Sequence, residues 1–161
     1  THIFRISYIG SLYEFQSTAL IEQAVHELNL PNLELNIHTH EYQPIPLDKV
    51  GDELRHSSIV LVLTNPNTKG MMTTKFYEAF GCEKPVLCTP SDNGLLAQTI
   101  RQTNAGLASS DINEIKEFII EKYREWQQNG YTRQAVINKE QFSREKQAQQ
   151  FEQLFLQCIQ Q

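Results

Sequence analysis

A chain of 161 residues, 40% hydrophobic and 20% charged, lies in the range of one soluble globular domain with a true core, which excludes disordered and collagen-like classes. A net charge of −5 and a pI near 5.5 exclude a broad basic footprint, so no nucleic-acid partner is expected; a small anionic ligand needs only a few local donors. Three cysteines, Cys82, Cys88 and Cys158, with no C-x-x-C spacing argue against a disulfide scaffold or a metal cluster and for a reducing, cytoplasmic setting.

Ile3 to Ile9 alternates well enough to predict a first strand, closed by Gly10. The opening THIFRISYIG has no signal-peptide layout and no initiator Met, so a processed or excised chain is expected. Ser17 to Asn29 places Leu20, Ile21, Ala24, Val25 and Leu28 on one helical face, and Pro31 stops that helix. Leu33 to His38 alternates as a half-buried or edge strand does. Tyr42-Gln-Pro-Ile-Pro reads as a loop, and Leu47 to Arg55 then carries Leu47, Val50 and Leu54 at helical spacing. SIVLVLT, from Ser58, predicts a central parallel strand covered on both faces. Its apolar run, Ile59 to Leu63, is far too short to cross a bilayer.

Asn65 to Gly70 is rich in turn formers, and a helix is expected from Met71 to about Gly81. A short strand Val86 to Cys88, a helix Ala97 to Thr103, an extended Gly106 to Ser109 and a helix Ile112 to Gln127 follow. In the last of these Ile112, Ile115, Phe118, Ile119, Tyr123 and Trp126 fall on one stripe. A final helix, about 139–161, turns Phe151, Leu154, Phe155 and Cys158 one way. The alternation predicts a single α/β domain over 1–161, a Rossmann-like doubly wound α/β/α sandwich with a mostly parallel sheet. Such folds bind ligands at the carboxyl ends of their strands, which puts the loops after Ile9, His38 and Leu63 on the working edge.

On the helix expected from Met71, Met72, Phe76, Ala79 and Phe80 form a buried stripe, with Met71, Lys75, Glu78 and Cys82 beside it. The plain reading of Lys75 and Glu78 is a solvated ion pair. Yet a lysine near the positive helix end, with the glutamate further along, costs about 0.3–1 kcal/mol unless an anion compensates. Gly70 at the entrance also opens the free N–H groups to close approach, so a bound phosphate accounts for both features. Gly10-Ser11-Leu12 is neither G-x-G-x-x-G nor a Walker A sequence; its place on the same edge makes it a second phosphate contact or a simple turn. His38, His40 and Glu41 match no strong zinc spacing and read as strand-end surface residues, so no metal ligands are assigned. Met71 and Met72 line a wall or the core.

Three stretches resemble the C-terminal, donor-binding domain of GT-B glycosyltransferases of the family 4 type: YIGSLYE, SIVLVLTNPNTKGMMTTKFYEAFGCEKPVLC and FSREKQAQQFEQLF. The middle block is the most specific, with Lys75-Phe-Tyr-Glu78-Ala followed by Gly81-Cys-Glu-Lys-Pro85-Val. The resemblance implies hexosyl transfer from a UDP- or GDP-linked sugar, without metal or other cofactor and with retention, in polysaccharide biosynthesis. It implies that Glu78 accepts the ribose hydroxyls, and that Lys75 stabilises the departing phosphate as the catalytic cation. Gly70, Met71, Met72, Thr73 and Thr74 would face the diphosphate or its sugar, with Gly10, Ser11 and Leu12 as the glycine-loop contact. His40, Glu41 and Tyr42 would pass beside the base. The implied partners are the nucleotide sugar and an N-terminal acceptor domain of the same protein, through which peripheral membrane contact would also run.

This chain departs from the family in two places. Ser11 and the Phe15-Gln16-Ser17 stretch stand where many members carry an Arg/Lys clamp on the diphosphate, and Met71 stands in place of an earlier glutamate. Lys75 is the candidate replacement for the clamp. A sugar-nucleotide 2-epimerase-like domain and a non-catalytic α/β nucleotide-binding module are the alternatives. A receiver domain is rejected, because Thr64-Asn65 and Gly10-Ser11 stand where it needs acidic groups.

Overall fold

Five short runs rich in Ile, Val and Leu pair as parallel strands, and the amphipathic stretches between them cross over as helices. The computed structural model describes residues 2–159. In chain order the elements are β1 (Phe4–Ile9), α1 (Ala19–Leu28), β2 (Leu33–His38), α2 (Leu47–His56), β3 (Ile59–Val62), α3 (Thr74–Gly81), β4 (Val86–Cys88), α4 (Leu95–Gln102), β5 (Gly106–Ala108), α5 (Ile112–Asn129) and α6 (Arg144–Ile159). The strand order is β2-β1-β3-β4-β5, all parallel, one of the common orders of doubly wound α/β sheets and consistent with a Rossmann-like fold. Direction of winding reverses between β1 and β3, which opens a crevice at their carboxyl ends.

Alternation along the strands feeds two cores. Phe4, Ile6 and Tyr8 of β1 and Ile59, Leu61 and Leu63 at β3 pack with α1 and α5. Val60 and Val62 of β3, with Val86 and Cys88 of β4, pack with α2, α3 and α4. All four residues of β3 are buried, as expected of a strand covered on both faces. β2 has none that is fully buried and closes one edge of the sheet. The α5 stripe is also found: Ile115, Ile119, Tyr123 and Trp126 are buried, with Ile112 and Phe118 packed beside them. In α2 only Leu54 is buried, and Leu47, at the first turn, points into solvent.

Several boundaries move, each for a local reason. α3 begins at Thr74 and not at Met71, because Thr73 holds an extended backbone and its hydroxyl accepts from the Phe76 N–H at 3.3 Å. Met71 therefore lies outside the helix, and Cys82 falls on its C-cap. α4 starts two residues ahead of the expected Ala97, because the buried Asp92 carboxylate accepts from the N–H groups of Leu96 and Ala97 at 3.1 and 2.9 Å. The final helix is broken: a 3-10 turn over Lys139–Phe142 precedes α6, and Gln160 and Gln161 lie outside the described residues. Between α5 and that turn the chain crosses the amino ends of the strands, where Thr132 donates to the Ser58 carbonyl and the Gln134 N–H to that of Glu83 at 2.8 Å.

Candidate functional site

The crevice between β1 and β3 is built by three loops. The first leaves β1 at Gly10, whose φ of +134° belongs to the region that favours glycine. A second reason for glycine stands directly above it. A Cβ at this position would meet Lys75 Cε at 2.6 Å and Nζ at 2.8 Å, so the lysine side chain lies across the glycine. Two residues proposed separately as phosphate contacts are thus in contact with each other.

Lys75 reaches this place from the second position of α3, with its Nζ 5.2 Å from the centroid of the Tyr8 ring. It is half-buried, and among the described residues no carboxylate pairs with it. Burial pushes its ammonium below the ordinary lysine range, and the charge of Glu78 pulls the other way. Glu78 is exposed one turn further along the helix, near enough to act on Lys75 without forming an ion pair. Desolvation of a cation is unfavourable unless an anion compensates, and the described residues supply none at contact distance.

Tyr8 was not singled out in the sequence, because it reads simply as an inward position of an alternating strand. The side chain is fully buried, and its hydroxyl donates to the Ser11 carbonyl at 2.5 Å from beneath the first loop. Burial first, then the nearby Tyr13, push that hydroxyl up to about 12, so it stays a donor throughout the physiological range. Gln16, within the Phe15-Gln16-Ser17 stretch, carries no sequence signal for the tie it makes. Its Nε2 donates to the Leu63 carbonyl at 2.8 Å and ties the first loop to the end of β3.

The second loop, Asn65 to Thr73, leads into α3. Gly70 is exposed, and a Cβ there would meet nothing within 4 Å, so neither packing nor a turn requires this glycine. The amides of the loop are not all free: Met71 N–H donates to the Thr68 carbonyl at 3.0 Å. Met71 has an exposed side chain, whereas Met72 turns inward against the core and accepts from the Thr99 hydroxyl at 3.9 Å. The Thr73 hydroxyl is occupied as the cap, and Thr74 opens the helix, exposed. The first-turn amides of α3 point to the carboxyl edge, as helix N-termini do.

Ser11, Leu12, His40, Glu41 and Tyr42 come together on the other side of Gly10. They line a cavity of about 630 Å³, with Asn36 and Thr39 from the end of β2 and Thr18 and Glu22 from the start of α1. The Thr39 N–H donates to the Tyr42 carbonyl at 2.7 Å and its hydroxyl accepts from the Tyr42 N–H at 2.9 Å, which closes this loop on itself. His38, expected as a strand-end surface residue, is largely buried: its Nδ1 meets the Gln43 carbonyl at 2.8 Å, and its Nε2 lies 3.7 Å from Glu53. The candidate residues therefore form two groups flanking Gly10: Lys75 with the α3 N-terminus on one side, and the cavity on the other. The chain matches no protein-family model, no curated protein and no solved structure.

Proposed function

We propose that this chain is the donor-binding domain of a glycosyltransferase, taking a sugar from a UDP- or GDP-linked donor and passing it to an acceptor held by another domain. The observation that carries this reading is the half-buried Lys75 ammonium, paired with no carboxylate among the described residues and laid across Gly10 at the β1–β3 crevice. A diphosphate over Gly10 would supply the missing anion and would meet the first-turn amides of α3 as well. Loss of the leaving nucleotide places negative charge on its terminal phosphate, and a fixed ammonium and helix terminus stabilise that charge without reorganising. No metal is called for in this scheme, and retention of configuration follows the family pattern.

Glu78, exposed on the same helix, accepts the two ribose hydroxyls, which suits a carboxylate with its several lone pairs. The cavity lined by His40, Glu41 and Tyr42 takes the base. Its lining is mixed polar and apolar, as a flat heterocycle with a hydrogen-bonding rim demands.

Thermal unfolding with UDP, GDP, ADP and CMP tests the reading. One diphosphate should raise the midpoint, since a ligand at 100 times its Kd adds about 2.7 kcal/mol. Lys75→Ala should weaken the shift and Glu78→Ala should abolish it. Equal stabilisation of the Glu78→Ala protein would overturn the ribose assignment.

A further inference from the structure

The loop between β1 and α1 presents two aromatic rings to solvent beside the crevice. Tyr13 and Phe15 are 57% and 44% exposed, and their rings lie parallel within 5° with centroids 5.6 Å apart. That spacing is offset stacking, so the pair makes an apolar step with an open outer face.

Such exposure on a loose loop would carry no message, but this loop is fixed at several points. Tyr13 N–H donates to Gln16 Oε1 at 2.9 Å, and its carbonyl accepts from the Gln16 N–H at 2.9 Å. Asn65 Nδ2 donates to the Phe15 carbonyl at 2.9 Å, and Gln16 Nε2 anchors the loop to Leu63. The hydroxyl of buried Tyr8 holds Ser11 from below. The fold keeps two apolar rings in water in one geometry, which lowers the ordering cost for whatever stacks on them.

We propose that Tyr13 and Phe15 form a stacking shelf for a pyranose ring of a saccharide. A pyranose offers a face of C–H groups to an aromatic surface and a rim of hydroxyls around it. The Tyr13 hydroxyl supplies a rim donor and acceptor, and the exposed Glu14 lies between the two rings in sequence. A lipid surface is disfavoured, because the exposed Glu14 and Glu41 repel anionic headgroups. A nucleobase stacked here would leave its edge in water, while the neighbouring cavity has groups to read it. The shelf extends the transferase reading but is carried by the aromatic pair alone. The ring is either the donor's own sugar or a sugar of the acceptor, which share this chemistry.

Saturation-transfer NMR of the whole chain with methyl glucopyranoside, galactopyranoside and mannopyranoside tests it. At least one should receive saturation on its ring C–H protons. Tyr13→Ala and Phe15→Ala should each weaken its Kd roughly three- to tenfold, with Phe15→Tyr retaining it and the thermal midpoint unchanged in all three. Displacement of the pyranoside by UDP-glucose or GDP-mannose, but not by UDP or GDP, marks the donor's sugar. Simultaneous binding marks an acceptor sugar, and both results uphold the shelf. It is overturned by silence from all three pyranosides, by an unchanged signal in the Tyr13→Ala, Phe15→Ala double variant, or by binding to uridine, guanosine or phosphatidylcholine vesicles in place of sugar. The pyranosides carry neither phosphate nor base, so this outcome is independent of nucleotide binding.

Discussion

At the scale of single residues, the site turns on one glycine and one lysine that need each other. Gly10 has a backbone conformation that L side chains rarely adopt, and the space where its Cβ would stand is filled by the end of Lys75. Gly10→Ala therefore has two separable effects. The backbone strain costs about 1–3 kcal/mol, read as a lower urea midpoint. The lysine end, being flexible, swings off the β1 terminus, and diphosphate affinity falls with it. An alanine variant as stable as the parent, with unchanged nucleotide affinity, would show that the contact has no part in binding. Each residue was legible in the sequence on its own, Gly10 as a strand end and Lys75 as a misplaced charge. Their contact was not, because it depends on α3 and β1 meeting across the sheet. Tyr13 enters the sequence reading only within YIGSLYE and Phe15 only within a stretch that departs from the family clamp, since exposure and ring geometry belong to the folded loop.

At the scale of elements, the helix N-termini along the carboxyl edge differ in how they are closed. Asp111 accepts from the Asn113 and Glu114 amides at 2.7 and 3.2 Å and caps α5. α4 is closed by the fully buried Asp92 and by the Lys69 carbonyl, which accepts from the Leu95 N–H at 2.7 Å. Gly94 permits this, for a Cβ there would stand 2.4 Å from the Lys69 carbonyl oxygen. The loop that leads to α3 is thereby pinned to α4, and α3 itself keeps only the Thr73 hydroxyl. Asp92→Ala removes two charge-assisted bonds from a buried place, so we expect a loss of about 2 kcal/mol or more in chemical denaturation. Asp92→Asn, which keeps an acceptor, should lose less. A loss under about 0.5 kcal/mol for the alanine variant would deny Asp92 this role. Asp92 falls in no element or motif read from the sequence, so neither the cap nor its hold on the α3 loop was visible before the fold.

At the scale of the whole molecule, what periodicity and β-branched runs dictate was legible: strands alternating with helices, a parallel sheet, a central β3 and an edge β2. What tertiary contacts decide was not. The clearest case is the C-terminal stretch, which the apolar spacing of Phe151, Leu154, Phe155 and Cys158 merges into one helix. The structure divides it at Ser143. Before the division, the Phe142 ring packs 5.5 Å from Phe80 and 5.9 Å from Tyr77, and Lys139 Nζ donates to the Gly81 carbonyl at 3.0 Å. After it, every described residue of α6 is exposed, including Phe151, Leu154, Phe155, Leu156 and Ile159. A helix that buries nothing adds little to folding free energy, however apolar one side of it is. Removing the chain from Arg144 onward should therefore leave the unfolding free energy within about 0.5 kcal/mol of the parent. Removing it from Lys139 onward takes Phe142 out of its aromatic contacts and should cost about 3 kcal/mol. Urea titration of the two truncations reads both values side by side. A large loss from the shorter deletion would mean that α6 docks on the domain and that its apolar side is covered from within the chain. Equal, small losses from both would deny Phe142 its place as the point where the C-terminal segment is fastened to α3.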